Sequence, residues 1–235
     1  MTTPARELQF NVGMSVARVS ALLVEPQDPR CLYVLAHGAG AGMRHPFLER
    51  VAQELADRSI ATFRYQFPYM EAGEPRTDSP PVIEATVVAA VNAAADTLPG
   101  PPLIAGGKSF GGRMTSYTAS DKWLPGVRGL VFLGFPLHAP RRPAIKRAEH
   151  LDQVQMPLLF LQGTRDEFAQ LDLIRGVCER LGPRARLHVV EGADHSFKVL
   201  KRSGRTESEV MAELADTIRD WATTLLRIPR APRPV

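Results

Sequence analysis

Short apolar runs alternate with amphipathic helical runs along nearly the whole chain, and few architectures accommodate that order. Residues 31–36 (CLYVLA), 60–65 (IATFRY), 102–106 (PLIAG), 128–134 (RGLVFLG), 157–162 (PLLFLQ) and 186–190 (RLHVV) read as strands; 31–36 has the continuous apolar character of a strand covered on both faces, and 128–134 and 157–162 read as buried too. Between them, 46–58 carries a stripe of Leu48, Val51, Ala52 and Leu55, and 82–98 carries Val87, Val88, Val91, Ala94 and Leu98. A helix is expected from the glycine-rich run at 106–112 to about Ser120, another over 168–181 and a last one over 207–227. Residues 15–25 alternate in part and read as an antiparallel edge strand or hairpin arm. Strands alternating with helices of this length build parallel β-α-β units, so the fold class is α/β with a mostly parallel central sheet.

The chain of 235 residues suits one large α/β domain, taken here as 1–228, with the proline-bearing 229–235 as a flexible tail. Hydrophobic residues make up 44% of it, enough for a substantial core, and charged residues 23%, too ordinary a share for disorder. The net charge of +4 is scattered apart from Arg141, Arg142, Lys146 and Arg147 and the tail arginines Arg227, Arg230 and Arg233. That pattern lacks the basic face of a nucleic-acid binder. Cys31 and Cys178 suggest neither a disulfide framework nor a metal site. No basic-then-apolar leader opens the chain, and no apolar stretch reaches the ~18 residues of a membrane span. The expectation is a cytoplasmic protein with no membrane or nucleic-acid partner.

In open α/β sheets the ligand site lies beyond the carboxyl ends of the strands, so chemistry is sought there. Gly107-Lys108-Ser109-Phe110-Gly111 matches G-x-S-x-G, follows an apolar run and opens a helical one. That is the strand-turn-helix setting in which a serine is exposed on a strained turn. Gly107 and Gly111 lack side chains where strand and helix must pass closely. A P-loop needs a glycine at 102, which is Pro102, and the run that would cradle phosphate is the strand itself. Taken alone, the motif also suits a glycine-rich turn with a solvated serine.

A serine nucleophile requires a base and an orienting carboxylate. Asp166 follows the run 157–162 and His195 follows 186–190, in the order Ser, Asp, His. The stretch 129–148 holds no Asp or Glu, which leaves Asp166, with Glu167 as a weaker neighbour. Asp194 adjoins the base and is expected to point away from it. Ser109, Asp166 and His195 are therefore the candidate catalytic residues. The run His37-Gly38-Ala39-Gly40-Ala41-Gly42 follows the strand 31–36. The backbone N–H groups of Ala39 and Phe110 are the candidate oxyanion donors, with Gly40 as fallback for Ala39. Gly38, Gly40 and His138 are candidate substrate-binding residues, and His37 is expected to brace its loop. His188 reads as structural, and His45 and His150 as surface or helix-start residues. The span 135–156 is too short for an elaborate cap, while 66–80 could fold over as a lid. No zinc-like cluster or cofactor fingerprint occurs, so no metal or cofactor is expected.

LAHGAGAGMRHPF (35–47), FRYQFPYME (63–71), AGGKSFGGR (105–113), GFPLHAP (134–140), LQGTRDEF (161–168) and GADHSFK (192–198) span most of the chain in order. They resemble the α/β-hydrolase branch that contains bacterial predicted hydrolases, a testis-expressed protein and a non-specific-lethal complex subunit. A more distant similarity is to dienelactone hydrolases, although the nucleophile here is a serine and not a cysteine. The resemblance implies the α/β-hydrolase fold and the same triad, and it supplies no substrate. The triad chemistry leads to the expectation of a serine hydrolase acting on a small-molecule carboxylic ester or related acyl compound, with little or no cap domain in the short span 135–156. Some eukaryotic relatives have scaffold roles, so a non-catalytic interaction protein is one alternative. An acyltransferase or perhydrolase with the same triad is another.

Overall fold

The computed structural model describes residues 2–13 and 18–227. Eight strands form one sheet: β1 (Ala5–Phe10), β2 (Val19–Val24), β3 (Cys31–Ala36), β4 (Ile60–Tyr65), β5 (Leu103–Lys108), β6 (Val127–Leu133), β7 (Leu158–Gly163) and β8 (Ala185–Val190). The α-helices are α1 (Pro46–Ala56), α2 (Pro68–Glu71), α3 (Pro80–Thr97), α4 (Phe110–Asp121), α5 (Leu171–Leu181) and α6 (Glu207–Arg227). The strand order is β1-β2-β4-β3-β5-β6-β7-β8. β1 and β2 pair antiparallel, as do β2 and β4, and every later pairing is parallel. This order, with its antiparallel start and parallel remainder, agrees with the α/β-hydrolase fold that the motifs imply.

Strand side chains alternate between the two faces, and each face recruits its own helices. Cys31, Tyr33 and Leu35 pack with Leu48, Val51 and Leu55 of α1 and with Ile218 and Trp221 of α6. Leu32, Val34 and Ala36 pack with Val87 and Val91 of α3 and belong to the core that also holds Ile174 of α5. Leu159 and Leu161 of β7 join the first core, and Leu158 and Phe160 join the second. Burial on both faces explains why these strands read as unbroken apolar runs.

The structure departs from the sequence reading in places. β1 is absent from that reading, because ARELQF is mostly exposed at the sheet edge and has no continuous apolar pattern. β2 is consequently an inner strand and not an edge. Residues 15–17 of the expected arm, and the expected tail at 229–235, lie outside the described residues. The span 66–80 carries α2, and the short span before β7 holds a 3₁₀ turn at Lys146–Gln153. α5 starts at Leu171, later than expected, because 166–169 form a tight turn around Asp166: Ala169 N donates to the Asp166 carbonyl at 3.3 Å. Among the described residues, no helix is long and apolar enough to cross a membrane.

The chain leaves β3 in one direction to β4 and returns to its other side as β5. That reversal opens a crevice at the carboxyl ends of β3 and β5. The glycine-rich loop after β3 and Ser109 meet in it.

Candidate active site

Ser109 sits between β5 and α4 with φ 49° and ψ −114°. An L-residue rarely adopts this conformation, and neighbouring backbone holds it in place. Ser109 N donates to the Leu133 carbonyl at 3.1 Å, and Arg113 N donates to the Ser109 carbonyl at 3.1 Å. A Cβ on Gly107 would lie 2.3 Å from the Ala36 oxygen, and one on Gly111 would lie 2.4 Å from the His37 oxygen. The close passage expected of these two glycines is thus present.

The three separated side chains converge. His195 Nε2 lies 2.8 Å from Ser109 Oγ, and His195 Nδ1 lies 2.7 Å from Asp166 Oδ2. An ionised carboxylate only accepts, so Nδ1 carries the proton and Nε2 is free to accept from the hydroxyl. The Asp166 side chain is fully buried, whereas the His195 ring retains 18% exposure toward the crevice. Asp194 does point away: its Oδ1 accepts from Ser196 N at 2.8 Å and Lys198 N at 3.0 Å, shaping the turn that presents His195.

Asp166 is held on every side. Oδ1 accepts from Phe168 N at 2.8 Å, and Oδ2 also accepts from Gln162 Nε2. Gln162 is itself buried and uses its Oε1 to accept from Phe135 N at 3.0 Å. The sequence reading missed Gln162. Its one signal is a polar residue closing an otherwise apolar strand, four positions before the acid.

Phe110 is the first residue of α4, so its N–H has no partner within the helix and is available beside Ser109. Gly38 packs against the elbow, where a Cβ would stand 3.9 Å from Ser109 Cβ, and Ala39 lines the cavity next to it. His37 braces this loop. Nδ1 donates to the Gly38 carbonyl at 2.8 Å, and Nε2 accepts from Phe67 N at 3.0 Å. The ring is fully buried, and burial lowers its pKa to about 4, so it stays neutral.

Two candidates move out of the site. His138 is buried, with Nδ1 donating to the Ala139 carbonyl at 2.9 Å and Nε2 accepting from Gln170 N at 3.2 Å. Both nitrogens are used in tying two loops together, and the residue does not line the cavity. Gly40 is exposed with φ +71°; it lets the loop turn and does not line the cavity, unlike its neighbours Ala39 and Ala41. His150 is no surface residue either: it is half-buried, stacked on Tyr117 at 3.6 Å and bonded to Ser116 Oγ at 2.8 Å. His188 is bonded through Nε2 to Glu213 Oε1 at 2.7 Å on the far side of the molecule's edge strand, as a structural residue would be. His45 caps α1, accepting from Phe47 N at 3.2 Å.

The crevice is a cavity of about 700 Å³ with Ser109 and His195 on its wall. Its apolar lining includes Phe47 and Leu48 of α1, Phe168 of the turn after Asp166, Phe197 of the His195 loop and Met211 of α6. Phe47 and Phe197 stack at 5.7 Å. No residue of 66–80 lines it; that segment instead packs Phe67 and Tyr69 against the Phe110 ring. A groove of about 720 Å³ along α3 contains none of Ser109, Asp166 and His195.

Solved structures with this fold span nearly the whole chain. A dienelactone hydrolase from Anabaena variabilis superposes with a TM-score of 0.71 at 19% identity, covering 94% of this chain and 98% of that one. An α/β serine hydrolase without a lid from Xanthomonas campestris gives 0.71 at 18% identity, covering 99% of both chains. Est1E from Butyrivibrio proteoclasticus, with ferulic acid bound, gives 0.71 at 13% identity, covering 94% of this chain and all of that one. At such identities the likeness speaks for the fold alone. The sequence model of the alpha/beta hydrolase domain, however, matches residues 29–223, and the chain belongs to that family.

Proposed function

We propose that this protein is a serine hydrolase that cleaves a carboxylic ester or a related acyl compound through an acyl-enzyme. The observation that carries the reading is the continuous hydrogen-bonded chain from Ser109 Oγ through His195 to Asp166 on the wall of an apolar cavity. As Oγ attacks the acyl carbon, His195 Nε2 takes the hydroxyl proton. The carbonyl electron pair moves onto oxygen, and the N–H groups of Ala39 and Phe110 receive that oxyanion. Collapse expels the alcohol, which leaves with the proton from Nε2. Water then gives a proton to Nε2 and attacks the acyl carbon, and a second collapse breaks the Oγ–C bond, releases the carboxylic acid and returns the Nε2 proton to Ser109 Oγ. Asp166 keeps the imidazole in the required tautomer and stabilises the imidazolium.

The Phe47, Phe197 and Met211 wall suits an apolar acyl or alcohol group, so an ester panel of graded acyl length should reveal a size preference. The motifs quoted for the branch with the testis-expressed and non-specific-lethal proteins favour membership there, and the free, buried Cys31 and Cys178 suit the reducing conditions of a cytoplasmic location. A fluorophosphonate probe tests the reading. It should label wild type and not Ser109→Ala. Ser109→Ala and His195→Ala should lower kcat by on the order of 10⁶, and Asp166→Ala by on the order of 10⁴. Folded wild type that resists the probe would favour a non-catalytic interaction protein, and mild losses in all three variants would refute the triad assignment.

A further inference from the structure

Lys108 fills the variable position of the elbow, one residue before Ser109. The turn itself asks nothing of this side chain, yet the structure uses it. Its ammonium donates to the His195 carbonyl oxygen at 2.6 Å. It also stands 5.9 Å and 5.6 Å from the ring centroids of Phe47 and Phe197, which places a cation over aromatic faces. A Cβ on Gly134 would lie 3.1 Å from Lys108 Nζ, 3.4 Å from His195 Nδ1 and 3.5 Å from Asp166 Oδ2. Ammonium, imidazole and carboxylate therefore converge around one missing side chain, at a residue whose φ of +72° already calls for glycine.

We propose that Lys108 is a positioning residue for the triad: its ammonium clamps the carbonyl of His195 and so fixes the loop that presents the imidazole to Ser109. The inference rests on the serine-hydrolase reading above. His195 is carried on an irregular stretch after β8, not on a strand or helix. The Asp194 turn shapes that stretch locally. Lys108 ties it to the nucleophile's own strand end, so base and nucleophile share one anchor. A misplacement of 1 Å at such a site can cost about 10²-fold in rate.

The tie is charge-assisted, and such bonds are roughly twice as strong as neutral ones. The charged and titratable groups facing Lys108 are Asp166 from the loop after β7, and Asp194 and His195 from the loop after β8. α1 contributes the uncharged Phe47 ring, and the loop after β3 contributes Gly38, whose Cβ would lie 3.7 Å from Lys108 Cγ. His45, Arg50, Lys198 and Glu207 stand elsewhere on the same cavity wall. The residue as a whole is half-buried, but its ammonium end is drawn inside, and burial pulls its pKa down to about 8 against the two aspartates. The clamp accordingly loses its charge as pH rises past that value. A triad alone needs a neutral imidazole and reaches a plateau at alkaline pH. A fall in rate above about pH 8 is the signature of Lys108.

The test is fluorophosphonate labelling rate and kcat on p-nitrophenyl acetate from pH 6 to 9.5, for wild type, Lys108→Met and Lys108→Arg. At pH 7, Lys108→Met should lose about 10- to 100-fold in kcat with KM within about threefold. Lys108→Arg should keep most of the activity. The alkaline fall of wild type should vanish in both variants, since methionine does not titrate and a guanidinium stays charged. Wild-type kcat in Lys108→Met, or an alkaline fall that persists unchanged, would overturn the proposal while leaving the hydrolase reading intact. If Lys108→Met does not fold, an unchanged alkaline fall in Lys108→Arg overturns it alone. Wild type that is not labelled at all removes the hydrolase reading and this inference with it.

Discussion

Replacing Ser109 by glycine should destroy activity and yet leave the protein more stable than replacing it by alanine. The backbone at Ser109 has φ 49° and ψ −114°, and it is pinned by its N–H on the Leu133 carbonyl and its own carbonyl on Arg113 N. A non-glycine residue held in a sparsely populated region costs about 1–3 kcal/mol. Glycine removes that cost but adds unfolded-state entropy worth about 0.4–1 kcal/mol. Ser109→Ala is the control, because it loses the same hydroxyl and the same contact with His195 while keeping the Cβ that creates the strain. The difference between the two variants is then about 1 kcal/mol in favour of glycine. For a domain of this size that corresponds to a melting temperature roughly 2–4 °C higher. Thermal unfolding of wild type, Ser109→Ala and Ser109→Gly at pH 7 measures it, alongside ester hydrolysis, which both variants should lack. A glycine variant that melts at or below the alanine variant refutes the claim that the elbow stores backbone strain.

Gln162→Leu removes the donor to Asp166 and the acceptor for Phe135 N; it should cost about 1–3 kcal/mol in urea unfolding and lower kcat at least about tenfold with little change in KM, and an unaltered kcat would separate Gln162 from the acid's orientation. His37, held neutral with a pKa near 4 against an ordinary 6.5, contributes stability that is complete above pH 6.5 and is lost as pH falls toward 4. The loss runs at up to about 1.4 kcal/mol per pH unit, and urea midpoints of His37→Gln over that range should show a shallower slope than wild type. Gly111→Ala forces a methyl into the His37 carbonyl, so α4 must shift; a stability loss of about 1–3 kcal/mol should accompany a drop in kcat as the Phe110 N–H moves, and a variant with wild-type melting and activity would show that the close passage is not required.

Much of this protein is legible in local sequence. Five strands inside the sheet, β3 to β7, announce themselves because burial on both faces leaves nearly unbroken apolar runs, and the helices because one stripe repeats every three to four residues. The elbow is legible because its steric demand falls on residues two positions from Ser109. Asp166 and His195 are legible because they follow strands in the expected order. β1 escaped notice because an exposed edge strand carries no such pattern, and His138 was misplaced because a position after a strand does not say which way the ring turns.

What the chain's own order determined is the succession of strands and helices, the strained serine and the three residues able to form a relay. Those properties depend on near neighbours, and near neighbours are written side by side. Only the tertiary structure decided that Gln162 orients the acid, that Lys108 reaches the peptide of a residue far along the chain, and that Phe47, Phe197 and Met211 enclose one cavity. Such meetings depend on strand order, register and the turns of irregular loops. Those are settled by how distant segments share a core, and no single stretch of sequence records them.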